Sequence, residues 1–94
     1  MNIPNELKLG GYTIKVMRKK SMATDRNNIG EYHPRIQTIY IDEDASEQQS
    51  EETFLHELLE AIISIYDIDI NHKDLSNLSV ILHQVIKDNL KIFC

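Results

Sequence analysis

The sequence predicts an α+β domain in which a small three-stranded antiparallel sheet, one strand plus one hairpin, packs on two long C-terminal helices. Three observations carry this prediction. Tyr12-Thr13-Ile14-Lys15-Val16-Met17 alternates with period two, the mark of a strand with one buried face. Residues 29–33 and 37–41 flank a turn at Pro34-Arg35, and the second of these runs is rich in β-branched and aromatic residues, so the pair reads as a hairpin. Beyond Ser46, apolar residues recur at helical spacing in two successive runs.

Each element follows in order. Gly10-Gly11 ends a short leader and precedes the first strand. Residues 18–28 carry Ser21, Asp25, Asn27 and Asn28 without strong periodicity and read as a loop, with a short turn of helix expected around Met22. Asp42-Glu43-Asp44 stops the last strand, and Ser46 with Gln49 three residues on has the form of a capping box. The helix it opens is expected over 47–66. Residues 67–72 form a short connection, after which Leu75, Leu78, Leu82, Val85, Ile86 and Phe93 recur at helical spacing to the end of the chain. These six define the expected buried stripe of the second helix. Asn89 falls on the same stripe, where a buried amide needs partners and would pin the helix in register.

Composition narrows the class. With 94 residues, the chain is expected to form one domain spanning 1–94. Hydrophobic residues at 41% and charged residues at 27% are ordinary globular usage, which argues against disordered, fibrous and disulfide-scaffold classes. The single cysteine, Cys94, has no disulfide partner within the chain, and without a basic-then-apolar leader the expected compartment is the cytoplasm. Ser64, Asp67 and Asp69 interrupt the longest apolar stretches far short of the ~20 residues of a membrane span, so no membrane association is expected. Residues 1–40 hold 7 basic and 3 acidic side chains, a balance of +4, and residues 41–94 hold 3 basic and 12 acidic, a balance of −9; together these give the net −5. Arg18-Lys19-Lys20 is a local basic cluster, but an acidic protein repels phosphate at longer range, so nucleic acid is not the expected partner.

The chemistry concentrates at His56-Glu57-Leu58-Leu59-Glu60 on the first helix. At 100° per residue, Leu55, Leu58, Leu59, Ala61, Ile62, Ile63, Ile65 and Tyr66 cover an arc of roughly 200°, wider than a surface helix needs. The remaining sector holds Thr53, His56, Glu57, Glu60 and Ser64. Residues at i and i+4 have Cβ atoms roughly 6 Å apart, so an imidazole and a carboxylate so placed can close on one ion. That is the logic of H-E-x-x-H, in which the carboxylate beside the first ligand acts as general base. Glu60 here occupies the place of the second histidine. A catalytic zinc wants a third protein ligand. A tight return after the first helix would bring His72 alongside, which makes it the first choice. His83 lies on nearly the same face but about 16 Å further along the second helix, so both cannot serve one ion. His83 is therefore expected to be a partly buried structural histidine, and His33 on the hairpin is the remaining alternative.

The segment Glu52-Thr53-Phe54-Leu55-His56-Glu57-Leu58-Leu59-Glu60-Ala61-Ile62 resembles the small zincin-like proteins of bacteriophages and mobile elements, relatives of the ImmA/IrrE metallopeptidase group. There a T-x-x-H-E-x-x-H-A-I segment follows a short hairpin, and phage members with glutamate at the fifth motif position are similar. The runs Asn71-His72-Lys73-Asp74-Leu75-Ser76-Asn77-Leu78 and Gln84-Val85-Ile86-Lys87-Asp88-Asn89 resemble the C-terminal helix of those proteins. The resemblance covers about residues 10–90 and is strongest over 52–62. It implies His56 and Glu60 as metal ligands, Glu57 as catalytic base, His72 as the histidine between the helices, Zn2+ as cofactor, and the host cytoplasm as the place of action. The departure at Glu60 and the lack of the longer members' extra region weaken the implied proteolysis and leave the implied fold unaffected.

Three functions follow. The first is a zinc-dependent peptidase acting on a peptide or protein. The second is a catalytically inactive zincin-derived module that binds a host or phage protein. The third is a nucleic-acid-associated accessory protein using the basic hairpin end, which predicts binding that weakens steeply with salt.

Overall fold

The structure, a computed structural model, describes residues 1–20 and 29–93, with the side chains of the last two outside the description. It is a two-element-type α+β fold: strands β1 (Glu6–Leu9), β2 (Tyr12–Lys19), β3 (Gly30–His33) and β4 (Thr38–Asp42) precede helices α1 (Glu47–Tyr66), α2 (His72–Asp88) and the single turn α3 (Leu90–Phe93).

The sheet departs from the expected three antiparallel strands: it has four, in the order β1-β2-β4-β3, and is mixed. Glu6-Leu7-Lys8-Leu9, read as a leader, is a strand that turns through Gly10 (φ +61°) and pairs antiparallel with β2, Leu9 opposite Tyr12. The expected hairpin is present, with His33 opposite Thr38. Its second strand, however, lies parallel to β2, Lys15 opposite Thr38 and Lys19 opposite Asp42. The long passage from β2 carries β3 to the outer edge, so β4 takes the centre. The helical turn expected around Met22 lies outside the described residues.

One face of the sheet makes the core. Ile14 and Val16 of β2 and Ile39 and Ile41 of β4 meet Phe54 and Leu55 of α1, and Leu7, Leu9, Tyr32 and Leu58 close the margins. β4 is the most enclosed strand, with Thr38, Ile39, Ile41 and Asp42 all buried. Arg18 adds a polar tie, donating from Nη1 to Ser50 Oγ at 2.8 Å between β2 and α1.

α1 starts where expected. Gln49 N donates to Ser46 Oγ at 3.1 Å and Ser46 N to Gln49 Oε1 at 3.2 Å, a reciprocal capping box that satisfies amides with no partner in the helix. It ends at Asp67, whose left-handed backbone (φ 52°) lets its N–H reach Ile63 O. α2 opens on Asn71, whose side chain accepts from Asp74 N at 2.9 Å.

α2 corrects the sequence reading in two places. Its buried residues are Leu75, Ser79 and His83, whereas Leu78, Val80, Ile81 and Leu82 are 36–57% exposed. The helix is rotated so that two hydrogen-bonded polar residues face α1: Ser79 Oγ donates to Ser76 O at 2.8 Å, and His83 pairs with Glu51. Asn89 does not pin the core. It is the exposed C-cap, and its amide donates to Val85 O at 2.9 Å.

This register is testable by denaturant unfolding. Leu75→Ala, at a site 1% exposed, should cost about 2–5 kcal/mol, and Leu78→Ala, 42% exposed, about 0.5 kcal/mol or less. Equal losses would restore the stripe read from apolar spacing.

Candidate metal centre

α1 is held on the sheet by Phe54 and Leu55, and two positions along it, His56 and Glu57 face an open cleft between β3, α1 and the start of α2. The cleft has a volume of about 650 Å³. Its walls are residues 29–33 of the edge strand, Glu52, Thr53, His56, Glu57 and Glu60 of α1, and His72, Ser76, Ser79 and Val80 of α2.

The structure brings together the three expected ligands. One donor atom each from His56, Glu60 and His72 lies within 4.8 Å of the other two, so the group can hold a metal ion. Donors bound to one tetrahedral zinc at about 2.1 Å stand roughly 3.4 Å apart, so modest side-chain rotation closes the set. His56 and Glu60 are half-buried and His72 is exposed. The short return over 67–71 delivers His72 as the first residue of α2, and its ring stacks edge-on against that of His56 with centroids 5.0 Å apart. Burial and then the neighbouring His72 push the His56 pKa down, against a smaller opposite pull from Glu60. A neutral imidazole is the form a metal requires.

The alternatives are engaged elsewhere. His83 is 5% exposed and lies 2.8 Å from Glu51 Oε1, the structural role expected of it. The hydrogen bond from His83 is the main cause holding the Glu51 carboxyl below its ordinary pKa, with burial opposing. His33 reaches the cleft wall but bonds Glu31 Oε2 at 2.8 Å and stacks edge-on against Tyr40, and it is not in the ligand group.

Glu57 differs most from its helical-wheel placement. It falls in the polar sector, yet it is 8% exposed, because β3 crosses directly above it. A Cβ at Gly30 would collide with Thr53 Cγ2 and press on Glu57 Cγ at 3.2 Å; only glycine lets the strand come so close. The carboxylate opens into the cleft, with Oε2 4.0 Å from His56 Nε2, and among the described residues no donor hydrogen-bonds it. Burial first, then Glu60 and Glu31, push its pKa up to about 7. Sequence reasoning missed Gly30, Glu31 and Glu52 as cleft residues. Glu52 carried a legible signal, since it stands one turn before His56 on the stripe that continues to Glu60.

Comparison of the chain with protein-family models, with curated proteins and with solved structures finds no match. Among the described residues no helix is long and apolar enough to cross a membrane.

The buried Glu57 makes stability depend on pH in the metal-free protein. A carboxyl whose folded pKa lies near 7, above its ordinary 4.5, binds an extra proton in the native state between those values. Its contribution is therefore present at low pH and lost as pH rises from 4.5 to 7, by roughly 3 kcal/mol in all. In chelator, Glu57→Gln should gain on the wild type by that order between pH 5 and pH 8 in urea midpoints; a pH-independent difference would contradict the buried placement.

Proposed function

We propose that this protein is a small zincin-like metallopeptidase, with Zn2+ held by His56, Glu60 and His72 and with Glu57 as general base. The observation that carries the reading is the convergence of three metal-ligand donors within 4.8 Å beside a buried carboxylate that has no hydrogen-bond donor of its own and opens into the same cleft.

The bound ion would supply Lewis acidity toward a peptide carbonyl and toward water. Glu57 supplies the base: with a pKa of about 7 it takes a proton on a carboxylate oxygen at neutral pH and can return it to a leaving amine. The lack of a protein donor on that carboxylate leaves its lone pairs available. His56 and His72 orient the ion from two helices, which fixes its position relative to Glu57. Glu60 adds a negative charge where a second α1 histidine would be neutral, so the centre is less electrophilic than a three-histidine site. Slow turnover is the expected consequence. A cleft of about 650 Å³ lies in the usual size range for small ligand sites and accommodates a short peptide segment.

A second reading, a catalytically inactive module that binds another protein, is favoured by the exposed apolar side chains Leu78, Ile81 and Leu82 on α2.

The test is hydrolysis of an unfolded, fluorophore-labelled protein by zinc-loaded chain, followed with and without chelator. Activity should vanish in chelator and return with zinc, and Glu57→Gln should lower kcat by about 10²- to 10⁴-fold while keeping the ion. Absence of hydrolysis by the loaded wild type, or a Glu57→Gln variant as fast as wild type, would leave the binding-module reading.

A further inference from the structure

The cleft carries a charge pattern beyond what holding an ion requires. Four carboxylates, Glu31, Glu52, Glu57 and Glu60, line it with no lysine or arginine. The proposed function uses Glu57 and Glu60, and a divalent ion would offset two negative charges; Glu31 and Glu52 remain. Glu52, His56 and Glu60 follow one another at i, i+4 and i+8 along α1, so Glu52 stands one turn, roughly 6 Å, beyond the first metal ligand. Glu31 faces it from β3, on the opposite wall.

Neither carboxylate is committed to a strong internal partner. Glu52 accepts only a long hydrogen bond, 3.3 Å, from the exposed Gln48 amide one turn earlier. Glu31 Oε1 has Lys19 Nζ at 3.8 Å, with both side chains substantially exposed, and such surface pairs contribute little. Its other oxygen takes His33. The unpartnered, nine-tenths-buried Glu57 carboxylate at the floor marks the same cavity as one built to receive a ligand with donors.

Resting on the metallopeptidase reading of this cleft, we propose that it selects polypeptide segments carrying a lysine or arginine beside the residue at the metal, with Glu52 and Glu31 as the specificity-determining residues. The cation enters between the α1 stripe and the edge strand. An acidic side chain at the same place meets uncompensated negative charge on both walls. Overall net charge of −5 attracts cations weakly at a distance, but at physiological salt that field is screened beyond about 8 Å, so selection depends on the two carboxylates at contact.

The experiment uses the full chain with zinc and three fluorescein-labelled peptides of one sequence that differ only in carrying lysine, glutamine or glutamate at the varied positions. Anisotropy gives binding to wild type and to the double variant Glu31→Gln/Glu52→Gln, and mass spectrometry of the same mixtures reads cleavage. The lysine peptide should bind wild type about tenfold tighter than the glutamine peptide, the glutamate peptide most weakly, and the double variant should bring lysine and glutamine within about twofold of each other. Equal binding of the lysine and glutamine peptides, binding of none of them, or a lysine preference that survives in the double variant overturns the proposal. Cleavage separates the two claims: preference without cleavage removes the peptidase and keeps the cation site, and cleavage without preference does the reverse.

Discussion

The seating of α1 on the sheet is the constraint on which the rest of the molecule depends. Phe54 and Leu55 enter the core formed by Ile14, Val16, Ile39 and Ile41, and the geometry of a helix then leaves no freedom for the next two residues. His56 must emerge at the rim and Glu57 must lie under the edge strand. The close approach at Gly30 makes that fit possible. A hydrophobic contact thus sets the position of a carboxylate, and the apolar enclosure that positions Glu57 also raises its affinity for a proton.

α2 is attached differently. It buries one large apolar residue, Leu75, together with Ser79 and His83, and its polar tie to α1 is the enclosed pair of His83 and Glu51 at 2.8 Å. That pair sits far from the cleft, 11 residues beyond His72 and so about 16 Å along the helix axis. An ion on His56, Glu60 and His72 would join the same two helices at their other junction. Binding would therefore stabilise the α1–α2 arrangement as well as create a reactive centre, because a site built from both helices exists only when they are docked.

Much of this was legible in the residues. The capping box at Ser46 and Gln49 located the start of α1, because it is a local hydrogen-bond pattern that needs no tertiary information. The i,i+4 spacing of His56 and Glu60 and the short return to His72 were enough to anticipate the ligand group. What failed depends on longer range. A hairpin does not state which of its strands will neighbour an earlier one, so the parallel β2–β4 pairing was hidden. Apolar periodicity assigned Leu78 and Leu82 to the buried face of α2, since it has no way to anticipate that His83 would find Glu51 across the interface. A helical wheel put Glu57 among exposed polar residues, because the strand that covers it comes from elsewhere in the chain. Glu6-Leu7-Lys8-Leu9 did alternate with period two, and its brevity concealed a strand.

The central claim is that His56, Glu60 and His72 together hold one ion. Native mass spectrometry of the chain, prepared without a histidine tag and then exposed to micromolar zinc, tests it most directly. The account predicts a single bound zinc per chain, lost in His56→Ala and in His72→Ala and retained in His83→Ala. A wild type that binds no zinc, or zinc that persists in both His56→Ala and His72→Ala, would contradict it.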